Sequence, residues 1–181
     1  MKLASIICLI ILTLTASILK RGEVYNSKRG KVALSFDLSL GKMSANTDNI
    51  YSILDLNAEA VIFNVDIKSF EFDNPLVEQQ FKTVYMEADK FPKTTFVGKL
   101  TKKIDLNSRQ DQEIEVNGIL DMHGINIQRK VSAIVSITDT DIRVRSEFLI
   151  KASDHGIEIP AALFVDGHDQ IKVVLDATYA K

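Results

Sequence analysis

The chain has 181 residues, 46% hydrophobic and 25% charged. That balance and length suit one folded domain with a sizeable core, and they exclude a disordered chain, a collagen and a coiled coil. The net charge of −2 gives no basic footprint for nucleic acid, and a single cysteine, Cys8, excludes an intramolecular disulfide framework.

The N-terminus opens with Met1-Lys2, runs apolar from Leu3 to Leu14 and continues into Thr15-Ala16-Ser17. This is the order of a secretory signal peptide. The apolar stretch from Leu3 to Leu19 reaches the lower limit for a spanning helix and is followed by Lys20-Arg21. Residues 1–21 are therefore expected to be a signal peptide, with an uncleaved anchor as the alternative, and residues 22–181 a single exported domain. Cleavage would remove Lys2, Lys20, Arg21 and Cys8 but no acid. The exported domain would be more acidic and would rest on its hydrophobic core alone.

Residues 31–40 alternate strictly, with Val32, Leu34, Phe36, Leu38 and Leu40 on one face. A period of two with one apolar face predicts a half-buried strand. A weaker strand is expected near 43–55. The alternation returns at Val61, Phe63, Val65 and Ile67, then at Phe96, Gly98 and Leu100, then at Ile114, Val116, Gly118 and Leu120. It continues through Val131 to Ile137, Ile142 to Ile150 and Ile171 to Tyr179. One segment differs. Asn74 can cap a helix whose first turn holds Pro75. Val77, Phe81, Val84 and Ala88 then form a helical stripe, with Glu78 and Lys82 as an exposed i,i+4 pair. Phe91-Pro92 ends the segment.

About eight sequential strands joined by short turns favour antiparallel pairing, hence an all-β sandwich or closed barrel with one helix. An eight-stranded barrel has room for side chains or one small ligand.

Catalytic signatures are absent from the sequence: there is no G-x-S-x-G, no H-E-x-x-H and no Walker or Rossmann glycine pattern. His123, His155 and His168 each sit in a turn-like setting and read as polar loop residues. A metal site from His155, His168 and Asp169 has no supporting spacing. The reading is of a non-enzyme with no metal and no cofactor. Phe63, Phe70, Phe72, Phe81, Phe91 and Phe96 crowd around the helix. They read as core packing or as the lining of an apolar cavity.

The stretch from Phe63 to Leu100 resembles the central signature of the YceI-like family of lipid- or polyisoprenoid-binding proteins. It has a strand ending near Phe70, a helix leading into Tyr85-Met86-Glu87-Ala88 and Lys90-Phe91-Pro92, and a strand through Phe96. Val116-x-Gly118-x-Leu120 with Met122-His123-Gly124 is similar to the family's G-x-L-x-x-H-G turn. Ser146-x-Phe148-x-Ile150 with Asp154-His155-Gly156-Ile157 is similar to its F-x-I…D-[YF]-G-I segment. The region before Asn57 departs from the pattern, and Ile125 to Lys130 replace the usual Thr, basic residue and Pro.

The resemblance implies a lipocalin-like, eight-stranded antiparallel barrel with a helix beside it. It also implies bacterial export, to the periplasm or beyond, and a long-chain amphiphile held in the barrel. The membrane would matter only as the lipid source or through an uncleaved N-terminus. The inward phases then offer Phe36, Phe63, Val65, Phe96, Leu120, Val144 and Phe148 as tail contacts. The helix stripe adds Val77, Phe81 and Val84 as a cover. Gly98, Gly118 and Ser146 are small residues expected to leave room along the axis. Arg129 falls on the inward phase near a rim, where it could meet an anionic headgroup or simply be solvated. The competing reading is a barrel filled by its own side chains, acting in a protein interaction or a stress response.

Overall fold

The computed structural model describes residues 23–39, 41–165 and 169–181. The proposed signal segment with Cys8, and also Leu40 and His168, lie outside the described residues.

Among the described residues, eleven strand segments form one antiparallel sheet: β1 (Val24–Ser27), β2 (Arg29–Leu38), β3 (Gly41–Thr47), β4 (Ile50–Asp55), β5 (Ala60–Asp66), β6 (Glu71–Phe72), β7 (Lys93–Leu100), β8 (Gln112–Met122), β9 (Ile125–Ile137), β10 (Asp141–Lys151) and β11 (Gln170–Ala180). Their pairings reduce to eight long strands. Ser27 pairs with Ser52, and Val32 with Thr47. Five residues along one strand match five along the other, so β1–β2 and β3–β4 are a single long hairpin interrupted at Lys28 and at Asp48-Asn49. From that hairpin β4 pairs with β5, and the order runs through β7, β8, β9, β10 and β11 back to β2. The ring of pairings returns to its start, as an eight-stranded antiparallel barrel requires. The weak strand expected near 43–55 is two segments, β3 and β4, of this hairpin.

Alternation puts the core inside the barrel. Val61, Phe63 and Val65 are buried while Ile62 and Asn64 face outward, and β11 buries Ile171, Val173, Leu175, Ala177 and Tyr179 in the same way. Among the described residues, no helix is long and apolar enough to cross a membrane.

The helical segment covers one end. The Asn74 side chain accepts from the amides of Leu76 (3.0 Å) and Val77 (3.4 Å), and Pro75 stands in the first turn of α1 (Pro75–Gln80). The segment then widens into a π-helical turn over Phe81–Tyr85, closed by the Met86 amide donating to the Phe81 carbonyl at 2.9 Å. A π turn inserts one extra residue per turn, so the inward face passes from Phe81 to Tyr85 and Met86. The expected stripe is corrected accordingly. Val84 is 64% exposed and covers nothing, whereas Met86 is buried. The Glu78–Lys82 pair is half-buried rather than exposed: its atoms lie 2.7 Å apart, and Glu78 also accepts from the Phe72 amide at 3.1 Å. Those two contacts, Lys82 first, hold the Glu78 carboxyl below the usual carboxylate range. They also tie the helix to β6, which in turn pairs with β3.

Candidate functional site

Among the described residues, two neighbouring voids of the interior share part of their lining. The first, about 100 Å³, lies under the helical segment, and the second, about 70 Å³, lies toward the opposite end. The first is walled by β2, β5, β7, β8, β10 and β11 and closed above by Ile67, Phe70, Phe81, Tyr85, Met86 and Ile157. Among the described residues, its hydroxyl-bearing wall residues are Tyr85 and Thr94, and that of the second void is Ser146. Four side chains border both voids: Phe63, Phe96, Phe148 and Leu175. They form a partition across the barrel.

Of the residues singled out from the sequence, Phe36, Phe63, Val65, Phe81, Phe96, Leu120 and Phe148 line the first void, and Val144 and Ser146 line the second. Val77 is half-buried on α1 and borders neither. Gly98 and Gly118 face inward and pair across β7 and β8, but they leave no free room. A Cβ on Gly118 would stand 2.6 Å from Phe96 Cζ, and one on Gly98 would stand 2.8 Å from Phe96 Cε1. The Phe96 ring lies along the two glycines and uses the space that the alternation assigned to a ligand. Sequence reading passed over Tyr85, Met86, Thr94, Ile157 and Ile159. Thr94 precedes Phe96 by two and shares its phase, so counting one step further back would have found it. Its hydroxyl is buried and without a partner.

Arg129 does reach the wall between β9 and β10. The β9–β10 ladder stops at the pair Ala133–Ser146. Beyond it, side chains span the seam: Ser146 Oγ donates to the Ser132 carbonyl at 2.7 Å, and Arg129 Nη1 to the Leu149 carbonyl at 3.1 Å. Asp154 stands 4.0 Å from Arg129 Nη2, and Arg129 Nε is buried without a partner. Arg129 is therefore neither free at a rim nor simply solvated.

The histidines need a correction. His155 is not a loop residue in water but fully buried in the 3₁₀ turn Ala152–His155. Its Nδ1 donates to the carbonyls of Ile125 (3.2 Å) and Met122 (3.3 Å), stitching this turn to the β8–β9 turn. Burial, reinforced by the Arg129 charge, holds its pKa below the usual histidine value. His123 lies in the β8–β9 turn, between the Glu87 carboxylate and the His155 carbonyl. Asp169 accepts from the Ser153 amide at 2.7 Å. Among the described residues no three metal-ligating side chains converge.

The sequence profile of the YceI-like domain matches residues 24–179. Among solved structures, a polyisoprenoid-binding domain from Saccharophagus degradans, implicated in plant cell wall breakdown, superposes with a TM-score of 0.73 at 16% identity, covering 88% of this chain and 98% of that one. BcnA of Burkholderia cenocepacia superposes with a TM-score of 0.66 at 13% identity, covering 82% and 95%. The YCEI protein of Campylobacter jejuni gives 0.60 at 18% identity, covering 76% and 84%. No curated protein matches the chain. At such identities the likeness to these structures is one of fold.

Proposed function

The chain belongs to the YceI-like family, and from that premise we propose that it is an exported, non-enzymatic binding protein. It holds the tail of a long-chain amphiphile, a polyisoprenoid or fatty-acid-like lipid, inside the barrel. The observation that carries this reading is the apolar double void beneath the helical segment. The polyisoprenoid-binding description of the Saccharophagus degradans domain supports the ligand class. Each methylene moved from water into such a space gains about 0.8 kcal/mol. Ten would gain roughly 8 kcal/mol before ordering costs, micromolar affinity at best. Such a ligand needs little from its headgroup. Arg129 is the proposed partner for an anionic one, because a carboxylate or phosphate is a stronger acceptor than the Leu149 carbonyl that its Nη1 now meets.

One observation favours the filled barrel instead: the voids of about 100 and 70 Å³ are small beside the roughly 300–1,000 Å³ of ordinary ligand sites. A ligand must displace side chains to enter. Native mass spectrometry of the full-length gene product, purified from the cell envelope, decides between the two. A co-purified lipid mass that returns on adding a fatty acid or prenol after delipidation supports the carrier. A clean protein mass with no uptake overturns it in favour of the filled barrel. The same spectrum reads export: a mass lacking roughly the first 21 residues is expected, and retention of Met1 in the membrane fraction would replace the cleaved signal with an anchor.

A further inference from the structure

The partition between the two voids is built from four side chains that are not equally held. Phe63 and Leu175 are buried on paired inner strands. Phe96 is pinned along Gly98 and Gly118, where its ring fills the space of two missing side chains. Phe148 differs in its strand. Half-buried like Phe96, it lies on β10 two residues past Ser146, where the ladder to β9 has ended. Its strand is paired on one edge only, with Val173 of β11. On the other edge lies the seam that Ser146 and Arg129 span with side-chain hydrogen bonds. A ring behind such a seam can swing without breaking a backbone ladder.

We propose that Phe148 is a gate that sets the length of tail the barrel accepts. With the ring across the barrel, a tail is confined to the void beneath the helical segment. With the ring swung into the seam, the two voids join and a long tail threads both. This rests on the lipid-binding reading above and adds to it a residue that selects among ligands by length. The swing consumes binding energy for long tails only, so its removal benefits long tails only.

The experiment is displacement of a fluorescent fatty-acid probe by octanoate and by palmitate, on wild type and on Phe148→Ala. Phe148→Leu serves as a gentler variant should the first fold poorly, with circular dichroism as the folding control. Because Phe148 also borders the first void, its truncation touches both acids and the readout is their ratio: Phe148→Ala is expected to favour palmitate over octanoate about tenfold more than wild type does. Tenfold is the contribution of fewer than two methylenes, a modest demand on eight additional carbons. Phe148→Leu should show the same selectivity at smaller size. Phe36→Ala, which enlarges the first void alone, should shift both acids alike. If wild type binds both acids and the Phe148 variants change both equally, or neither, the gate is overturned while the carrier stands. If no protein in the series binds either acid, the carrier reading falls and the gate falls with it.

Discussion

Glu87 and His123 meet side chain to side chain, Oε2 to Nε2 at 3.0 Å, and both stand in the left-handed backbone region, with φ of 41° and 55°. Such a φ is strained for residues with a Cβ. His123 also reaches the His155 carbonyl through Nδ1 at 3.1 Å and packs against the Phe91 ring at 4.5 Å. A carboxylate and a carbonyl are both acceptors, so a neutral ring can make one of these two bonds and a protonated ring both. The contact ties the end of the helical segment to the β8–β9 turn, next in sequence to Met86 and Met122, which line the first void. Glu87→Ala keeps the strained backbone and deletes only the tie. It should cost about 1 kcal/mol, or a Tm drop of roughly 2–4 °C at this size. Amide exchange should quicken at Met86 and Ala88, whose N–H groups close the π-helical turn. Unchanged exchange there would mean that Phe91 packing alone holds the segment.

The glycine pair yields a second expectation, opposite to the one the alternation suggests. In Gly118→Leu the new Cβ would lie 2.5 Å from the Val97 carbonyl oxygen and 2.8 Å from Gly98 Cα, both backbone atoms that cannot swing aside. The variant should be destabilised by roughly 3 kcal/mol or more rather than fold with a blocked cavity. Gly118→Ala should share most of that loss. Gly98→Ala meets side chains instead, Val116 Cγ1 at 2.5 Å and Phe96 Cε1 at 2.8 Å. Val116→Ala should therefore relieve Gly98→Ala in part and leave Gly118→Ala unrelieved. Urea unfolding of the single variants and of the two double variants with Val116→Ala reads this directly. A Gly118→Leu protein of native stability would contradict the close approach of the Val97 and Gly98 backbone to position 118.

The π-helical turn can be tested by a reversal. A regular helix running on from Phe81 would bury Val84. The observed turn buries Met86 and leaves Val84 64% exposed. Met86→Ala is expected to cost about 2–4 kcal/mol, and Val84→Ala less than about 0.5 kcal/mol. The opposite order in thermal melts would restore the regular stripe.

Strands with large apolar residues on one face, such as β5 and β11, were legible because period-two alternation and burial coincide there. In the first hairpin β2 was equally legible, but β1 and the division of 43–55 into β3 and β4 were not, because their inward positions carry small or polar residues: Ser27, Ala45, Thr47 and Ser52 are all buried. Hydrogen bonds replace hydropathy at that corner, as Ser27 Oγ donates to the Thr178 carbonyl and the Thr47 and Ser69 hydroxyls meet at 2.6 Å. The large apolar lining residues Phe36, Phe63, Phe96 and Phe148 were legible because they lie on strands, whereas Thr94, on β7, was passed over as polar. Tyr85 and Met86 were hidden by the widened turn, and the Phe96 ring by its course along the strand, which a count of phases does not describe. His155 escaped because its burial depends on two carbonyl acceptors from a distant turn, which nothing in its own segment reveals.

His155 also gives the barrel a pH dependence with a definite sign. Its ring is fully buried, its Nδ1 donates to Ile125 and Met122, and its Nε2 has no partner. Arg129 and Asp154 are the nearby charges, and they oppose each other. Burial dominates and lowers the folded-state pKa below the ordinary value of 6.5. On acidification the unfolded chain therefore takes up a proton before the folded chain does. By linkage, the contribution of this group is complete above about pH 6.5 and is lost as the pH falls below it, until the folded ring itself protonates. The slope is at most roughly 1.4 kcal/mol per pH unit. His155→Asn keeps a donor near the Nδ1 position and removes the titrating ring. The variant should be less stable at pH 7.5, because it leaves a cavity. Between pH 7.5 and 5.5 it should then lose less stability than wild type does. Every other titrating group is common to the two proteins, so the difference between the two urea-unfolding series isolates His155. Parallel losses in the two series would place the acid sensitivity elsewhere.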